Sequence, residues 1–374
     1  MTASLSGARR AAVEGILAAA WGGRVTLASV TALAERDHVL RVGTGDGRAA
    51  VVKLPRLPGD YPWPVDPEAV AREWASLDHL GAVAPGVAPR LLGGDGEQGL
   101  VVIEALPDVR SLDESLLGAD PARAREDVLA WSGALARLHA GTRGTAAGFA
   151  AAGARRGLAA GREPWWLERL TAAEPGFTAE ARDHGVDPAA VAADLDRIRT
   201  VLSTRHVALV HGDPCPDNVL VTGAGCRLVD YERASMASAA IDFAYLLSPV
   251  PSCWCFGLLP ADLVAAATAA YEDAVTAAGV VLGDEWAEAV VAALALFVAV
   301  RVGGQRGRAI DDGDVWGTTT ARPRLATWTA SLLGAPGAEA FPQLVATVAA
   351  WRDRNGLDGS VEVPGYPALG GSAR

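Results

Sequence analysis

The stretch HGDPCPDNVLV at residues 211–221 is the most informative part of the sequence, together with LVDYE at residues 228–232. Apolar, strand-like residues flank the polar positions, which indicates short strands joined by loops. Three polar side chains, Asp213, Asn218 and Asp230, are thereby displayed from a loop and from the end of a strand. This combination predicts a functional site rather than an ordinary polar turn.

These residue types suit the transfer of a phosphoryl group from Mg-ATP to a hydroxyl. The reaction needs a carboxylate to accept the proton of the attacking hydroxyl, and hard oxygen ligands to hold magnesium. We expect Asp213 to be the base or hydroxyl-orienting group, and Asn218 and Asp230 to bind magnesium. An asparagine ligates through oxygen without adding charge. This property explains why Asn218, one of only two asparagines in the chain, occurs at this position.

Lys53 is the only lysine among 33 basic residues. All the others are arginine, so the surviving lysine indicates a position where a guanidinium would not serve. Lys53 ends an apolar strand-like segment, and its compact ammonium suits contact with the α- and β-phosphates. Glu73 follows twenty residues later in a predicted helix, where it could pair with Lys53 and orient it.

Three further residues are predicted to contact the nucleotide. Glu104 and Leu106 lie where a predicted strand ends, and backbone groups there could hydrogen-bond the adenine edge. Residues 28–34 are predicted to form a loop that covers the phosphates, with Ser29 or Thr31 as its candidate contact. Because this segment has no glycine, we expect it to approach the phosphates less closely than a kinase glycine-rich loop.

Charge and composition exclude several classes of protein. With 33 basic and 44 acidic residues the net charge is −11, so the chain lacks the basic footprint of a nucleic-acid binder. An acidic surface suits a cationic small molecule. Four cysteines are too few and too unevenly placed for a disulfide scaffold, and they fit a reducing, cytoplasmic location. The apolar run Ala287–Val300 is shorter than the ~20 residues that span a bilayer, so we expect a buried helix and no membrane partner.

The order of the patterns predicts an α+β architecture. A small β-rich lobe over residues 1–105 is expected to bind nucleotide. A larger helical lobe over residues 106–374 is expected to carry the catalytic loop, the metal site and the acceptor site, with 357–374 as a flexible tail. A monomer and a homodimer are both compatible with the sequence. Helices are predicted at 9–21, 67–80, 124–139, 163–172, 187–203, 260–278, 284–302 and 337–354.

Taken together, these segments resemble the aminoglycoside phosphotransferase family, which shares the protein-kinase-like fold with choline, fructosamine and homoserine-type kinases. His211-Gly212-Asp213 with Asn218 resembles the catalytic-loop motif of that family, and Asp230 matches its metal-binding aspartate. The resemblance covers roughly residues 20–300. It implies a two-lobed fold with an antiparallel sheet in the small lobe and helices in the larger one. It also implies ATP, with GTP left open, and Mg²⁺ as cofactors.

The acceptor implied by the resemblance is an aminoglycoside-like or amino-sugar compound, which suggests a role in antibiotic resistance. A metabolic kinase for a sugar, an amino alcohol or another antibiotic scaffold is the alternative within the class. A catalytically silent kinase-fold binding protein is a second alternative. A protein kinase is disfavoured, because the sequence has no HRD-type loop and no A-P-E segment. The residues that could contact the acceptor are Asp217, Glu232, Trp254, Asp312 and Trp316.

Several polar residues near these motifs are expected to be structural. His211 and Asp242 are predicted to hold the catalytic loop by hydrogen bonds, and His139 to be a packed polar residue of its helix. The motif Cys253-Trp254-Cys255 supplies only half of a typical zinc-ligand set. Without two more suitable ligands nearby in the sequence, it does not predict a zinc site.

Overall fold

A computed structural model describes residues 4–33, 36–56, 65–159, 161–248, 253–308, 310, 313, 315–357, 359 and 361–371. The chain forms two compact units. The first unit comprises Met1–Val109, Thr145–Arg162 and Arg227–Ala234, and the second comprises Arg110–Gly144, Glu163–Cys226 and Ser235–Arg374. The predicted lobe boundary after residue 105 stays a prediction, but a single boundary does not describe these units, because two later segments return to the first.

The described residues form helices and strands in the following order. The helices are α1 Gly7–Trp21, α2 Ala69–Val83, α3 Leu112–Leu117, α4 Pro121–Thr142, α5 Ala146–Ala154, α6 Trp165–Asp183, α7 Pro188–Thr204, α8 Ala240–Leu247, α9 Ala261–Ala277, α10 Gly283–Gln305, α11 Ala321–Leu333 and α12 Pro342–Arg354. The strands are β1 Leu27–Leu33, β2 Arg36–Thr44, β3 Ala49–Lys53, β4 Leu91–Asp95, β5 Leu100–Glu104, β6 Arg110–Ser111, β7 Val207–Val210, β8 Val219–Thr222, β9 Gly225–Leu228 and β10 Ser235–Ser238.

The first unit is built on a five-stranded antiparallel sheet with the order β1-β2-β3-β5-β4. Alternate residues of β3 are buried, Ala50 and Val52 among them, so the strand turns one face to the core. Helix α1 packs Val13 and Leu17 into the same core. Lys53 ends β3 opposite Val101 of β5, so the sheet fixes the direction of its backbone.

The second unit is mainly helical, with α10 at its centre. This helix is long and apolar enough to cross a membrane by length and composition alone. However, 78% of its most apolar 18-residue stretch is buried inside the protein. It meets α6 so closely that a Cβ on Gly176 or Gly303 would lie 2.3 Å from a backbone oxygen of the other helix. The predicted buried helix is confirmed, and glycine is required where its backbone meets that of α6.

Some elements differ from those predicted. The helix predicted over 163–172 continues past Pro175 to Asp183, because its packing on α10 outweighs the roughly 3 kcal/mol that an internal proline costs. Helix α8 has no amphipathic pattern, since seven of its eight residues are buried, and so gave no periodic signal. The end of the chain, predicted as a flexible tail, buries Tyr366, whose backbone N–H donates to the carbonyl of Leu258.

Candidate active site

In the first unit, Lys53 lies between two carboxylates. Its Nζ donates to Glu73 Oε2 and, at 2.5 Å, to Asp230 Oδ1. Glu73 comes from α2 and is buried, and the side chain of Asp230 is largely buried. The ion pair predicted between Lys53 and Glu73 is therefore present. Asp230, 177 residues further along the chain, completes the arrangement, which the sequence alone did not place.

A second cation, Arg56, lies beside the same aspartate. Its guanidinium is 3.7 Å from Asp230 Oδ2 and 3.2 Å from Glu232 Oε1, and its Nε donates to His38 Nε2 at 3.3 Å. We call Lys53, Arg56, Glu73, Asp230 and Glu232 the lysine cluster. Sequence reasoning missed Arg56, because one arginine among 32 carries no compositional signal.

The backbone of Asp230 is held in an uncommon conformation. Its φ of 71° and ψ of 56° place it in the left-handed region, which is unfavourable for residues with a Cβ. Arg72 supports the following turn, since its Nη1 donates to the carbonyl of Glu232 at 2.6 Å and pairs with Asp66 at 2.7 Å. A strained backbone at this position indicates that the surrounding structure fixes the direction of the Asp230 carboxylate.

Charge and burial act together on the acid–base properties of the lysine cluster. Burial alone would lower the pKa of Lys53, but the carboxylates of Asp230 and Glu73 outweigh it and raise that pKa. Lys53 is therefore an ammonium at neutral pH. Burial, with the negative charge of Asp230, raises the pKa of Glu232 from 4.5 to about 7. The cluster can thus hold a charged ligand and lose or gain a proton near neutral pH.

In the second unit, the segment predicted as the catalytic loop, residues 211–218 and called the catalytic loop below, is held by Asp242, a buried aspartate of α8. Asp242 accepts the backbone N–H of His211 at 2.6 Å and that of Gly212 at 2.9 Å, and its Oδ2 lies 3.1 Å from His139 Nε2. His139 also contacts the Tyr271 hydroxyl at 2.8 Å. The structural role predicted for Asp242 and the packed position predicted for His139 are confirmed.

Further hydrogen bonds hold the backbone of this loop and the side chain of Asn218. Trp166 Nε1 donates to the Gly212 carbonyl at 2.8 Å, and Gly212 has a φ of 80°, which suits glycine. Asn218 Nδ2 donates to the Asp213 carbonyl at 2.9 Å. That bond uses the amide nitrogen of Asn218, so the side-chain oxygen of Asn218 is the atom that can ligate a hard cation. The oxygen donors of Asn218 and Asp230 are the type that magnesium takes.

Three residues predicted to contact the acceptor come together in the second unit. Trp254 Nε1 donates to Asp217 Oδ2 at 3.2 Å. The buried Arg324 donates to the carbonyls of Trp254 and Trp316 and lies 4.5 Å from the centre of the Trp316 ring. Both indoles remain partly exposed, at 37% and 42%. The fold thus presents two aromatic faces and a carboxylate, a set that suits sugars and cations.

The remaining predicted residues are placed as follows. Ser29 lies in β1, exposed and paired with Gly43, so residues 28–33 form a strand and not the predicted loop. The sequence did not indicate this strand, because a register shift between Leu27 and Ser29 breaks the alternation of buried and exposed residues. Glu104 ends β5 and accepts the N–H of Arg90, and Leu106 is half-buried just after it. Asp312 lies outside the described residues.

A family model described as the phosphotransferase enzyme family matches residues 29–279. This chain belongs to that family. The matched span includes Lys53, Glu73, the catalytic loop and Asp230. The chain is therefore a small-molecule phosphotransferase, a kinase that transfers a phosphoryl group to a hydroxyl. A search of curated proteins finds no match to the sequence.

Solved structures show the fold that this family member adopts. The chain is similar to a candidate aminoglycoside phosphotransferase from Ralstonia eutropha JMP134, at 17% identity and a TM-score of 0.53, over 92% of this chain and 98% of that one. It is also similar to a choline kinase from Streptococcus pneumoniae, at 14% identity, a TM-score of 0.49 and coverages of 87% and 99%. A macrolide 2′-phosphotransferase from Brachybacterium faecium has 19% identity, a TM-score of 0.47 and coverages of 79% and 93%. The predicted α+β, protein-kinase-like fold is confirmed.

Proposed function

We propose that this phosphotransferase uses ATP and Mg²⁺ to phosphorylate a hydroxyl of an aminoglycoside-like or amino-sugar compound. The observation that carries the proposal is the lysine cluster, in which an ammonium is held between Glu73 and Asp230. A fixed ammonium beside a carboxylate is the arrangement that binds the phosphates of a nucleotide together with its magnesium.

Each residue has a role in this proposal. Lys53 binds the α- and β-phosphates, and Glu73 orients it. Asn218 and Asp230 hold magnesium, which neutralises charge on the phosphates when bound. Asp213 accepts or orients the acceptor hydroxyl proton, and the hydrogen bonds around it keep its backbone fixed before substrate arrives. Glu104, Leu106 and Ser29 remain candidate nucleotide contacts.

The choice of acceptor rests on the surface near the catalytic loop and on charge. Trp254 and Trp316 offer exposed indoles, and Asp217 lies against Trp254. With a net charge of −11, the protein attracts a cationic amino sugar over a neutral one. Glu232 and Asp312 are further candidate contacts. We place the enzyme in the cytoplasm, where its four free cysteines stay reduced, and assign it a role in antibiotic resistance.

The experiment that tests the proposal measures ADP release with Mg-ATP or Mg-GTP and a panel of acceptors. The panel contains aminoglycosides, amino sugars, neutral sugars, macrolides, choline and homoserine. Asp213→Asn should reduce kcat by roughly 10²–10⁴-fold. Asp196→Asn, a change at an exposed helical aspartate, is the matched control and should leave kcat unchanged.

The outcomes separate the parts of the proposal. Turnover with amino-sugar acceptors that is lost in Asp213→Asn supports all of it. Turnover only with choline, homoserine, neutral sugars or macrolides would overturn the choice of acceptor and leave the catalytic assignments in place. Full activity in Asp213→Asn would overturn the role of Asp213.

A further inference from the structure

Three of the four cysteines gather with Asp217 beside the catalytic loop. Cys215 Sγ, Cys253 Sγ and a carboxylate oxygen of Asp217 lie within 4.8 Å of one another. Cys255 Sγ is 2.8 Å from Cys253 Sγ. All three cysteines are buried. Ligands about 2.3 Å from a tetrahedral ion lie about 3.8 Å apart, so Cys215, Cys253 and Asp217 are close enough to share one ion, and Cys255, next to Cys253, is the candidate fourth ligand.

We propose that these four side chains form a site for a thiophilic divalent cation of the zinc class. Cys215 and Asp217 come from the catalytic loop, and Cys253 and Cys255 come from the segment before α9, so the ion would join the two segments. Three sulfur ligands distinguish this site from the oxygen ligands proposed for magnesium. The sequence showed one C-x-C pair, and the fold supplies the two missing ligands from 36 to 40 residues away.

The orientation of Asp217 suits a ligand. Its Oδ2 accepts the indole N–H of Trp254 at 3.2 Å, and its Oδ1 faces Cys253 Sγ at 3.9 Å. One oxygen is therefore held by a hydrogen bond while the other points into the cluster. Metal ligands in proteins are commonly fixed in this way by a second partner. The Trp254 indole is thus the orienting group for the carboxylate.

A buried cation supplies an independent observation. Arg324 is 3% exposed, and its guanidinium donates to the carbonyls of Cys253, Trp254 and Trp316. Its Nε is buried and has no hydrogen-bond partner among the residues that the structure describes. These three partners are neutral carbonyls, so they do not balance the positive charge of the Arg324 guanidinium. Three thiolates, one carboxylate and a dication carry a net charge of −2, and Arg324 offsets half of it.

Binding has a defined proton balance. Each thiol gives its proton to water as its sulfur–metal bond forms, so one ion releases three protons. One of these protons belongs to Cys215, whose Sγ now donates to Asp213 Oδ1 at 3.0 Å. Occupancy of the site therefore changes the hydrogen-bond partners of Asp213.

The test is a titration of the full-length protein with Co²⁺, after metal removal by a chelator and in a non-chelating reductant. An equimolar amount of Co²⁺ should produce sulfur-to-metal charge-transfer absorption and the visible bands of tetrahedral cobalt. Zn²⁺ should bleach both, and excess Mg²⁺ should not. Cys253→Ser and Cys215→Ser should lose most of the charge-transfer band. Cys226→Ser, at the buried cysteine outside the cluster, is the matched control and should keep it.

The readout does not depend on kinase activity or on the folding of a variant, because the wild-type titration stands alone. A wild-type protein that shows no charge-transfer band, or only the weak spectrum of octahedral cobalt, would overturn the site. So would a folded Cys253→Ser variant with the wild-type spectrum. Zinc should also raise Tm in the wild type and in Cys226→Ser, but not in Cys253→Ser, and an equal rise in all three would contradict the proposal.

Discussion

The lysine cluster and the catalytic loop are ordered by different interactions, although both hold buried carboxylates. In the lysine cluster, Asp230 is balanced by the cations of Lys53 and Arg56. The catalytic loop is held by Asp242 of α8, which accepts two backbone N–H groups of the loop and lies beside a histidine ring. Opposed side-chain charges can exchange partners when a charged nucleotide arrives, whereas backbone donors fix a loop in one geometry. The first arrangement suits ligand binding, and the second suits positioning.

The largest effect should come from removing the central charge of the lysine cluster. Lys53→Met leaves Glu73 and Asp230 without their shared ammonium, so we expect a loss of about 3–5 kcal/mol in the free energy of unfolding. The kcat should fall by roughly 10²–10³-fold. Denaturant unfolding and steady-state assays measure the two losses.

The control for this change is Arg48→Met, which breaks the exposed pair between Arg48 and Asp46. An exposed pair contributes at most about 1 kcal/mol, so this variant should remain near the wild type in stability and activity. Equal stability losses in the two variants would show that the lysine cluster does not depend on its buried charge.

The second prediction concerns the buried carboxylate that holds the catalytic loop. Asp242→Ala leaves the N–H groups of His211 and Gly212 without their acceptor, and we expect a loss of about 3 kcal/mol. Because the loop carries Asp213, kcat should fall as well. Urea unfolding and kcat at saturating substrate check the two parts.

Asp194→Ala provides a matched comparison. Asp194 is also buried and accepts two backbone N–H groups, those of Gln343 and Leu344, at the start of α12. This variant should lose a similar amount of stability and keep its kcat at temperatures where it is folded. If both variants lost kcat equally, the loss in Asp242→Ala would reflect instability and not the position of the loop.

The third prediction is a pH dependence of stability from Glu232. Its folded pKa of about 7 lies above the ordinary value of 4.5. Between these values the folded protein binds a proton that the unfolded chain has lost, so this group makes stability fall as pH rises through that range. Below pH 4.5 and above pH 7 its effect should level off.

Glu232→Gln removes this titration, because the amide stays neutral. From pH 5 to pH 8, we expect the free energy of unfolding to decrease by about 2 kcal/mol less in the variant than in the wild type. Unfolding is measured at both pH values without nucleotide or divalent cations. Glu97→Gln, at an exposed turn residue, should follow the wild type. A Glu232→Gln curve parallel to the wild type would place the proton elsewhere in the cluster.

The smallest effect should come from one hydrogen bond of the catalytic loop. Trp166→Phe removes the indole N–H that donates to the Gly212 carbonyl, which we expect to cost about 1 kcal/mol beyond the loss of ring volume. Trp131→Phe removes an equally buried indole N–H, for which the described part of the chain offers no hydrogen-bond partner. The difference between the two variants in thermal or urea unfolding measures the bond, and no difference would show that it does not stabilise the loop.

Much of the fold and chemistry could be predicted from local signals. The polar spacing of residues 211–218 predicted a catalytic loop, and the presence of a single lysine predicted a functional role for Lys53. Alternating apolar residues predicted most of the sheet. Elements without periodicity were missed, such as α8, which is buried on nearly all sides, and β4, where Gly93 and Gly94 interrupt the apolar pattern. Amphipathic periodicity appears in the sequence only when an element has one buried and one exposed face.

The sequence by itself determined which chemical groups this protein has: a lone lysine, a glutamate at helical spacing, and carboxylates and an amide at the ends of short strands. Apart from the predicted pair of Lys53 with Glu73, only the tertiary structure decided their partners. It placed Asp230 on Lys53 across 177 residues, added Arg56 to the lysine cluster, and brought Cys215 and Asp217 to Cys253. Backbone propensity and apolar periodicity act over a few residues, so they can be recognised in the sequence. Packing pairs side chains that are distant along the chain, and no local sequence pattern identifies those pairs.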